Sequence, residues 1–411
     1  MTHLLSLDLF QTAGVGVAAL LLGIFFTRSI PFLQRYCIPA PVSGGLLVSL
    51  LTLLLHAFAG VDFSFDGTIK DLCMMLFFTS VGFQSNLLPL KRGGRPLLML
   101  ILLVTVLIAM QNLLSTGLAR WMGLDPLVGM AAGSIPMSGG HGTAGGFAPL
   151  LESLGLPEAS SITMACATFG LVAGSLVGGP LAERLIRRYA LATESHSTDV
   201  VSGIESNTAD PDFKQEKRRS EERTFRDYAK AVYILVLAMA LGSCLSRLMA
   251  LTGITFPTYF GSLIIGCLVR NVCELGWKGK DVLGMERIVS LGNICLSLFL
   301  GIAMASLKLW ELADLVLPLC VILAAQVLFI TLFARFAAFP LLGRDYDAAV
   351  LVSGLCGFGL GATPNAMANM SAVCFKYRYT TVPFIIVPIV GVMFVDLINT
   401  GVITLFLNLI R

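Results

Sequence analysis

Two glycine-rich segments of this sequence hold the residues best suited to bind a small ligand. Each is apolar and long enough to enter a membrane, but glycine and proline interrupt its centre and disfavour one continuous helix. We expect two half-length helices that meet at an irregular tip. Glycines let a ligand approach the backbone closely, and the free N–H groups of a half-helix N-terminus favour a carboxylate. The predicted substrate-binding residues are Ser138, Gly139, Gly140, His141, Gly142 and Thr143 at the first tip, and Gly359, Gly361, Thr363 and Asn365 at the second.

Asp396 is the only carboxylate that clearly lies inside a predicted crossing. The apolar segment around it, GVMFVDLINTGV, holds no Lys or Arg. An unpaired charge at mid-depth in a membrane costs roughly 2.5–3.5 kcal/mol on insertion scales, so a counter-charge is expected. A bound Na⁺ or H⁺ would supply it. The predicted cation ligands are Asp396, Asn399 on the same helical face, and the tip carbonyls of Gly140 and Gly361. The alternative is a protonated Asp396 that is hydrogen-bonded between helices.

His141 has two open interpretations, because its ring can donate to a substrate carboxylate or cap the turn at the tip. The neighbouring Ser138 raises a third possibility, an intramembrane serine protease. A base so close in sequence is badly placed to activate that serine. The sequence also contains no HExxH, Walker A or nucleophile-elbow motif. We therefore expect a protein that is not an enzyme.

The composition indicates a membrane environment for these segments. Of the 411 residues, 56% are hydrophobic and 13% are charged, against roughly 25% charged in a typical soluble domain. The net charge of +3 excludes the basic field that a nucleic-acid binder needs. The 10 cysteines form no CxxC pair, and most lie in apolar runs, as is typical of buried free thiols.

A membrane-crossing helix needs roughly 20 apolar residues. Two glycine-rich stretches, 126–151 and 347–374, fit re-entrant hairpins better than crossings. With these hairpins entering and leaving on one side, most of the 28 Lys and Arg residues fall on the cytoplasmic side if both termini are outside. The ten predicted crossings lie near residues 5–27, 38–59, 72–90, 96–119, 159–183, 229–250, 255–273, 287–306, 312–334 and 380–408.

The two halves of the chain, 1–186 and 227–411, resemble each other weakly but in order, and a polar segment, 187–226, joins them as a predicted flexible cytoplasmic linker. Paired positions include Gly123 with Gly343, Asp125 with Asp345, and Thr143 with Thr363. Each half holds five crossings and one hairpin. Because five is odd, the halves enter the membrane from opposite sides. The predicted fold is therefore an all-α polytopic membrane protein with ten transmembrane helices and two re-entrant hairpins in two inverted repeats, as in secondary transporters.

The motifs LDPLVGMAAGSIPMSGGHGT and YDAAVLVSGLCGFGLGATPNAMANM resemble those of the bacterial sodium/glutamate symporter family. The GGHG (139–142) and GFGLG (357–361) motifs correspond to the two re-entrant loops of that family. The resemblance covers nearly the whole chain. It implies Na⁺-coupled uptake of L-glutamate, a homodimer in the bacterial inner membrane and an elevator-like movement of the hairpin-bearing part. The alternatives are the same fold carrying another carboxylate, such as a dicarboxylate or oxo acid, a channel, or a structural membrane scaffold.

Overall fold

The computed structural model describes residues 3–36, 38–86, 94–191, 213–251, 256–276 and 283–410, and nearly all of them are helical. Two short strands, β1 (His3–Leu7) and β2 (Val61–Phe65), make up the rest of the regular structure in these ranges. The helices are α1 (Leu9–Ser29), α2 (Pro31–Arg35), α3 (Ala40–Ala59), α4 (Thr68–Gln84), α5 (Gly94–Trp121), α6 (Pro126–Met137), α7 (Gly140–Ser153), α8 (Ala159–Arg188), α9 (Phe213–Ala250), α10 (Phe260–Gly276), α11 (Met285–Ala305), α12 (Leu309–Leu341), α13 (Tyr346–Leu360), α14 (Thr363–Lys376) and α15 (Val382–Ile410).

Among the described residues, eight helices are long and apolar enough to cross a membrane, namely α1, α3, α5, α8, residues 226–250 of α9, α11, α12 and α15. Each of them coincides with a crossing that the sequence predicts, with ends that differ by a few residues. The protein is therefore a multi-pass membrane protein. The predicted crossings near 72–90 and 255–273 correspond to α4 and α10, which have 17 residues each.

The beginning of the chain differs from the sequence-based expectation. The first predicted crossing starts near residue 5, but β1 occupies His3–Leu7 and pairs in parallel with β2. The helix begins at Leu9, where the Asp8 carboxylate accepts a hydrogen bond from the Gln11 backbone N–H and the Gln11 side chain accepts one from the Asp8 N–H. This capping box ends the strand and starts the helix. The all-α prediction did not include the pairing with β2, because it depends on a distant segment.

The predicted linker is partly helical. Helix α9 begins at Phe213, so 213–226 of the segment belongs to a long helix. Residues 192–212 of the linker lie outside the described residues.

The helices form two groups. The first bundle contains α1, α3, α4, α9, α10 and α11, and the second bundle contains α5–α8 and α12–α15. Each bundle takes helices from both halves of the chain. The bundles meet where α7 packs on α11, α4 on α15 and α3 on α12. The two glycine-rich segments therefore lie in one bundle, together with the helix that carries Asp396.

Helix α8 lies at the centre of the second bundle, and its glycines allow close packing. In its most apolar stretch 56% of the residues are buried, against 17% for α9, which is peripheral. A side chain on Gly170 would collide with the Leu360 carbonyl of α13, and one on Gly174 would lie 3.1 Å from the Gly357 carbonyl. Small residues at such crossings let helix backbones approach each other.

Candidate functional site

The first glycine-rich segment is broken between α6 and α7. Ser138 and Gly139 separate the two helices, and Gly140 has a φ of 60°, which a residue with a side chain adopts at a cost. A second break inside α6 frees the backbone N–H of Ser134, which donates to Oδ1 of the buried Asn112 at 2.9 Å. The irregular backbone is thus satisfied by a side chain from α5, as required where water is excluded.

The second glycine-rich segment is broken between α13 and α14, at Gly361 and Ala362. Gly361 has no room for a side chain, because a Cβ there would lie 3.0 Å from Nδ2 of Asn365 and 3.2 Å from Cα of Leu171. The residue that precedes α14 is Ala362, and the one that precedes α7 is Gly139. Neither can cap a helix with its side chain, so the first N–H groups of α7 and the Thr363 N–H of α14 have no side-chain cap. The next residue of α14, Pro364, has no N–H, and the Asn365 N–H donates to the Ala362 carbonyl at 3.0 Å.

The two breaks lie against each other. A Cβ on Gly140 would lie 2.9 Å from the Gly361 carbonyl oxygen. The fully buried Gln111 of α5 links them, since its Nε2 donates to the Gly359 carbonyl at 2.8 Å and its Oε1 accepts from the Ser138 hydroxyl at 2.7 Å. One glutamine thus fixes the relative position of both tips.

Asp396 lies in α15 next to these tips. Its Oδ1 lies 3.4 Å from the Thr143 hydroxyl, which is oriented to donate to it. The helix takes a wide π-helical turn over Ile389–Phe394, directly after Pro388, which has no amide hydrogen to donate. None of the ion pairs among the described residues involves Asp396. Its carboxylate is therefore half-buried without a cationic side chain beside it.

A cavity of about 330 Å³ brings these groups together. This volume is within the range of small-molecule sites. Among the described residues, Asp396 is the one carboxylate that lines the cavity, and no Lys or Arg lines it. The predicted site residues on its wall are Ser138, Gly139, Gly140, His141, Gly142, Thr143, Gly361, Thr363 and Asp396.

His141 is buried at the cavity, and one of its ring nitrogens already has a partner. Its Nε2 lies 3.1 Å from the hydroxyl of Thr168, and that hydroxyl donates its proton to the Met164 carbonyl at 2.9 Å. A hydroxyl has one proton, so the His141 Nε2 must be the donor in this contact. In a neutral ring, Nδ1 is then left as an acceptor, which does not favour the predicted donation from His141 to a carboxylate.

Three predicted ligands do not line the cavity. Gly359 packs between Ile330 and Leu107. The Asn365 amide donates to the Leu171 carbonyl at 2.7 Å and to the Ser175 hydroxyl at 3.0 Å. The remaining one, Asn399, is paired with Ser134: its Oδ1 accepts from the hydroxyl at 2.6 Å, and its Nδ2 donates to the carbonyl at 3.0 Å. Their role as ligands stays a prediction, while their contacts here join helices within the second bundle.

The cavity also has a wall that the sequence-based site did not include. Phe77, Phe78, Val81 and Gln84 of α4 line it, and so do Asn293, Leu296 and Leu300 of α11. Both helices belong to the first bundle. The available sequence signal was the presence of two amides, Gln84 and Asn293, within the apolar stretches of α4 and α11, since polar residues at membrane depth often mark a ligand path.

The comparisons with known proteins point to one family. The family model for the sodium/glutamate symporter matches residues 5–379. The sodium/glutamate symporter of Escherichia coli (strain K12) is 40% identical over 409 residues, which is 98% of each chain. That of Haemophilus influenzae is 37% identical over 393 residues, 95% of each chain. Among solved structures, a sodium proton antiporter from Methanocaldococcus jannaschii is similar over 98% of each chain, but its TM-score of 0.43 and identity of 15% are too low to support an argument. On the family match and these two relatives, the chain belongs to the sodium/glutamate symporter family.

Proposed function

We propose that this protein is a secondary transporter that couples the downhill entry of Na⁺ to the uptake of L-glutamate. The observation that carries the proposal is the meeting of two uncapped half-helix N-termini and an unpaired carboxylate in one cavity. The first feature suits an anion, and the second suits a small cation. Family membership favours glutamate and Na⁺ as the pair, since the relatives at 37–40% identity are named for both.

The substrate carboxylate would bind at the tips. The N–H groups at the start of α7 and the Thr363 N–H of α14 are the backbone donors for it, and no Lys or Arg among the described residues lines the cavity. The Thr363 hydroxyl can add a hydrogen bond, and the hydroxyls of Ser138 and Thr143 could do so on releasing Gln111 and Asp396. The backbone is open to the ligand at four glycines without side chains, Gly139, Gly140, Gly142 and Gly361.

The Na⁺ would bind at Asp396. Further oxygen ligands would be the Thr143 hydroxyl, 3.4 Å from its Oδ1, and the carbonyls of Gly140 and Gly361, two residues that line the same cavity. Hard oxygen donors without a thiol or imidazole suit an alkali cation. Asn399 stands one turn from Asp396 and would complete this site if it released Ser134. A bound Na⁺ neutralises Asp396, so the tips then attract an anion more strongly.

The membrane topology that we propose has ten crossings and two re-entrant hairpins in two inverted repeats. The 17-residue α4 and α10 add two crossings to the eight longer ones, and the α6–α7 and α13–α14 pairs are the hairpins. Matching local geometry supports the repeat. Gly123 and Gly343 both have positive φ, and Asp125 and Asp345 each cap the next helix, both through a carboxylate–N–H hydrogen bond of 2.7 Å. Both termini would lie on the periplasmic side of the inner membrane.

Transport would follow an elevator-like mechanism with alternating access. The second bundle carries both tips and Asp396, and the first bundle supplies the facing wall from α4 and α11. Movement of one bundle past the other would carry substrate and Na⁺ together. A homodimer, as the family resemblance implies, would hold the first bundles fixed in the bilayer. Crosslinking in native membranes would test that assembly.

The test of the proposed function is uptake of labelled glutamate into proteoliposomes. Uptake should require an inward Na⁺ gradient and should accumulate glutamate above the outside concentration. Equal uptake driven by a proton gradient alone would exclude Na⁺ coupling, and flux without accumulation would indicate a channel.

The nearest alternative function is transport of a dicarboxylate or an oxo acid by the same fold. Thermal-shift measurements with a panel of carboxylates, with and without Na⁺, would separate these substrates.

A further inference from the structure

The cavity extends to the ends of two helices of the first bundle. Pro39, directly before α3, and Gln84, the last residue of α4, both line it. Since α3 and α4 each cross the membrane, these two residues lie on the same side. In the topology proposed above that side is the cytoplasm.

Tyr259 lies directly before α10, which begins on the periplasmic side in that topology, and aromatic rings enclose it. The Phe78 and Tyr259 rings are stacked with centroids 3.6 Å apart, and Phe147 of α7 meets Tyr259 edge-on at 5.9 Å. All three side chains are at most 1% exposed. In the proposed topology this buried cluster lies toward the periplasm, which fits a state in which the site faces the cytoplasm.

In this state the wall that faces the tips is apolar except for two amides. Phe77, Val81, Leu296 and Leu300 supply its hydrocarbon surface, and Gln84 and Asn293 supply its polar groups. The wall touches the first tip, because a Cβ on Gly142 would lie 3.0 Å from the Phe77 ring. Asn293 and Leu296 lie three residues apart and so share one face of α11.

The side-chain amides of Asn293 and Gln84 have N–H groups that are not engaged in a short hydrogen bond. The Asn293 side chain makes no hydrogen bond within the described part of the chain, and it is exposed. The Gln84 Nε2 has the Ser80 carbonyl as a neighbour, at a long 3.4 Å. An amide without a partner at membrane depth is unfavourable unless a ligand or water satisfies it.

We propose that Asn293 and Gln84 bind the side-chain carboxylate of the substrate in the cytoplasm-facing state and help to determine its specificity. This inference rests on the proposed function. Glutamate has two carboxylates, and the tips can hold one through their N–H groups. The other extends away from the tips and meets a wall where these amides are the donors. Both residues belong to the first bundle, so the contact is lost when the second bundle carries the substrate away.

Substitution of either amide should therefore change the apparent Km for glutamate on one side of the membrane only. Asn293→Leu keeps a similar volume and removes the donor, and it should raise the apparent Km for glutamate about tenfold when the cytoplasmic face is presented to substrate. The Km at the periplasmic face should change by less than about twofold. Gln84→Leu should act in the same direction. Ser297→Ala, one turn along α11 at a residue that does not line the cavity, removes a hydroxyl that donates to the Asn293 backbone carbonyl; it is the matched control and should change neither value.

A charge substitution tests specificity separately. Asn293→Asp places a negative charge opposite the substrate carboxylate, so inhibition by glutamate should weaken while inhibition by glutamine, whose amide can donate, should not. The measurement is Na⁺-dependent transport in inside-out and right-side-out vesicles, with competition by both amino acids. Equal changes at both faces, or an unchanged preference for glutamate over glutamine, would overturn the inference.

Measurements on the wild-type protein distinguish a failure of the proposed function from a failure of this inference. Absence of Na⁺-dependent glutamate transport in wild-type vesicles contradicts the proposed function. Wild-type transport with unchanged Asn293 variants contradicts this inference alone. A loss of thermal stability in Asn293→Leu with no sided change in Km would assign the residue a structural role and would also overturn it.

Discussion

The hydroxyl of Thr143 lies 3.4 Å from Oδ1 of Asp396, although 253 residues separate them in the chain. Thr143 is at the first tip and Asp396 is in the last helix. Their proximity joins the region proposed for the anion to the region proposed for the cation. A cation at Asp396 would therefore change the electrostatic potential at the tip directly, which gives the coupling of the two substrates a short physical path.

Asp396→Asn should abolish most of the Na⁺ dependence of glutamate uptake. The amide removes the negative charge that would hold the cation, while it keeps the size of the side chain. The half-saturating Na⁺ concentration in proteoliposomes should rise by about tenfold or more, as expected for loss of a charged interaction. Asp314→Asn, an exposed carboxylate far from the cavity, is the control. A wild-type Na⁺ response in Asp396→Asn would remove Asp396 from the cation site.

Gln111→Leu should destabilise the protein more than Gln326→Leu. Gln111 joins Ser138 to Gly359, and its removal leaves the buried Gly359 carbonyl without its 2.8 Å donor, at a cost of about 1–3 kcal/mol. Gln326 donates one hydrogen bond to the Gln111 carbonyl at 2.9 Å, and its Oε1 has no partner among the described residues. Thermal unfolding in detergent measures the difference. The reverse order would contradict the linking role of Gln111.

Gly146→Ala should disrupt the aromatic packing on the closed side of the site. An added methyl group there would lie 2.5 Å from a ring carbon of Tyr259 and 2.9 Å from the Phe78 ring. Overpacking of this kind costs about 1–3 kcal/mol. Gly117→Ala in α5 meets no atom within 4 Å and is the matched control, which we expect to be neutral. The measurement is labelling of single cysteines from the periplasmic side, which should increase in Gly146→Ala alone.

Thr363→Ala and Asn365→Ala should have different effects. Thr363 lines the cavity, so its loss should weaken glutamate binding by a few-fold with little change in melting temperature. Asn365 makes hydrogen bonds to Leu171 and Ser175 in α8, so its loss should lower the melting temperature, because both hydrogen bonds between α14 and α8 are lost. Titration calorimetry and thermal unfolding measure the two quantities. Weaker binding at unchanged stability in Asn365→Ala would return Asn365 to the substrate site.

Much of the fold could be predicted from the sequence because a membrane imposes a simple length rule. Runs of apolar residues predict the crossing helices, and all eight long membrane helices were predicted in this way. The breaks at residues 138–140 and 361–362 could also be predicted, since glycine and proline interrupt a helix wherever it lies. The strand at the start of the chain could not, because it pairs with Val61–Phe65, and pairing between distant segments leaves little local signal.

The candidate site, like the fold, was predictable from the sequence only in part. The sequence by itself determined which residues could do the chemistry: glycines and hydroxyls at two tips, and one carboxylate at membrane depth. The tertiary structure alone decided which of them share a cavity. Asn365 and Asn399 are chemically suitable but are held by α8 and α6, while Asn293 and Gln84 enter the wall from the other bundle. The physical reason is that a residue's type sets what it can bind, whereas its neighbours, from distant parts of the chain, set whether its polar atoms are free to bind it.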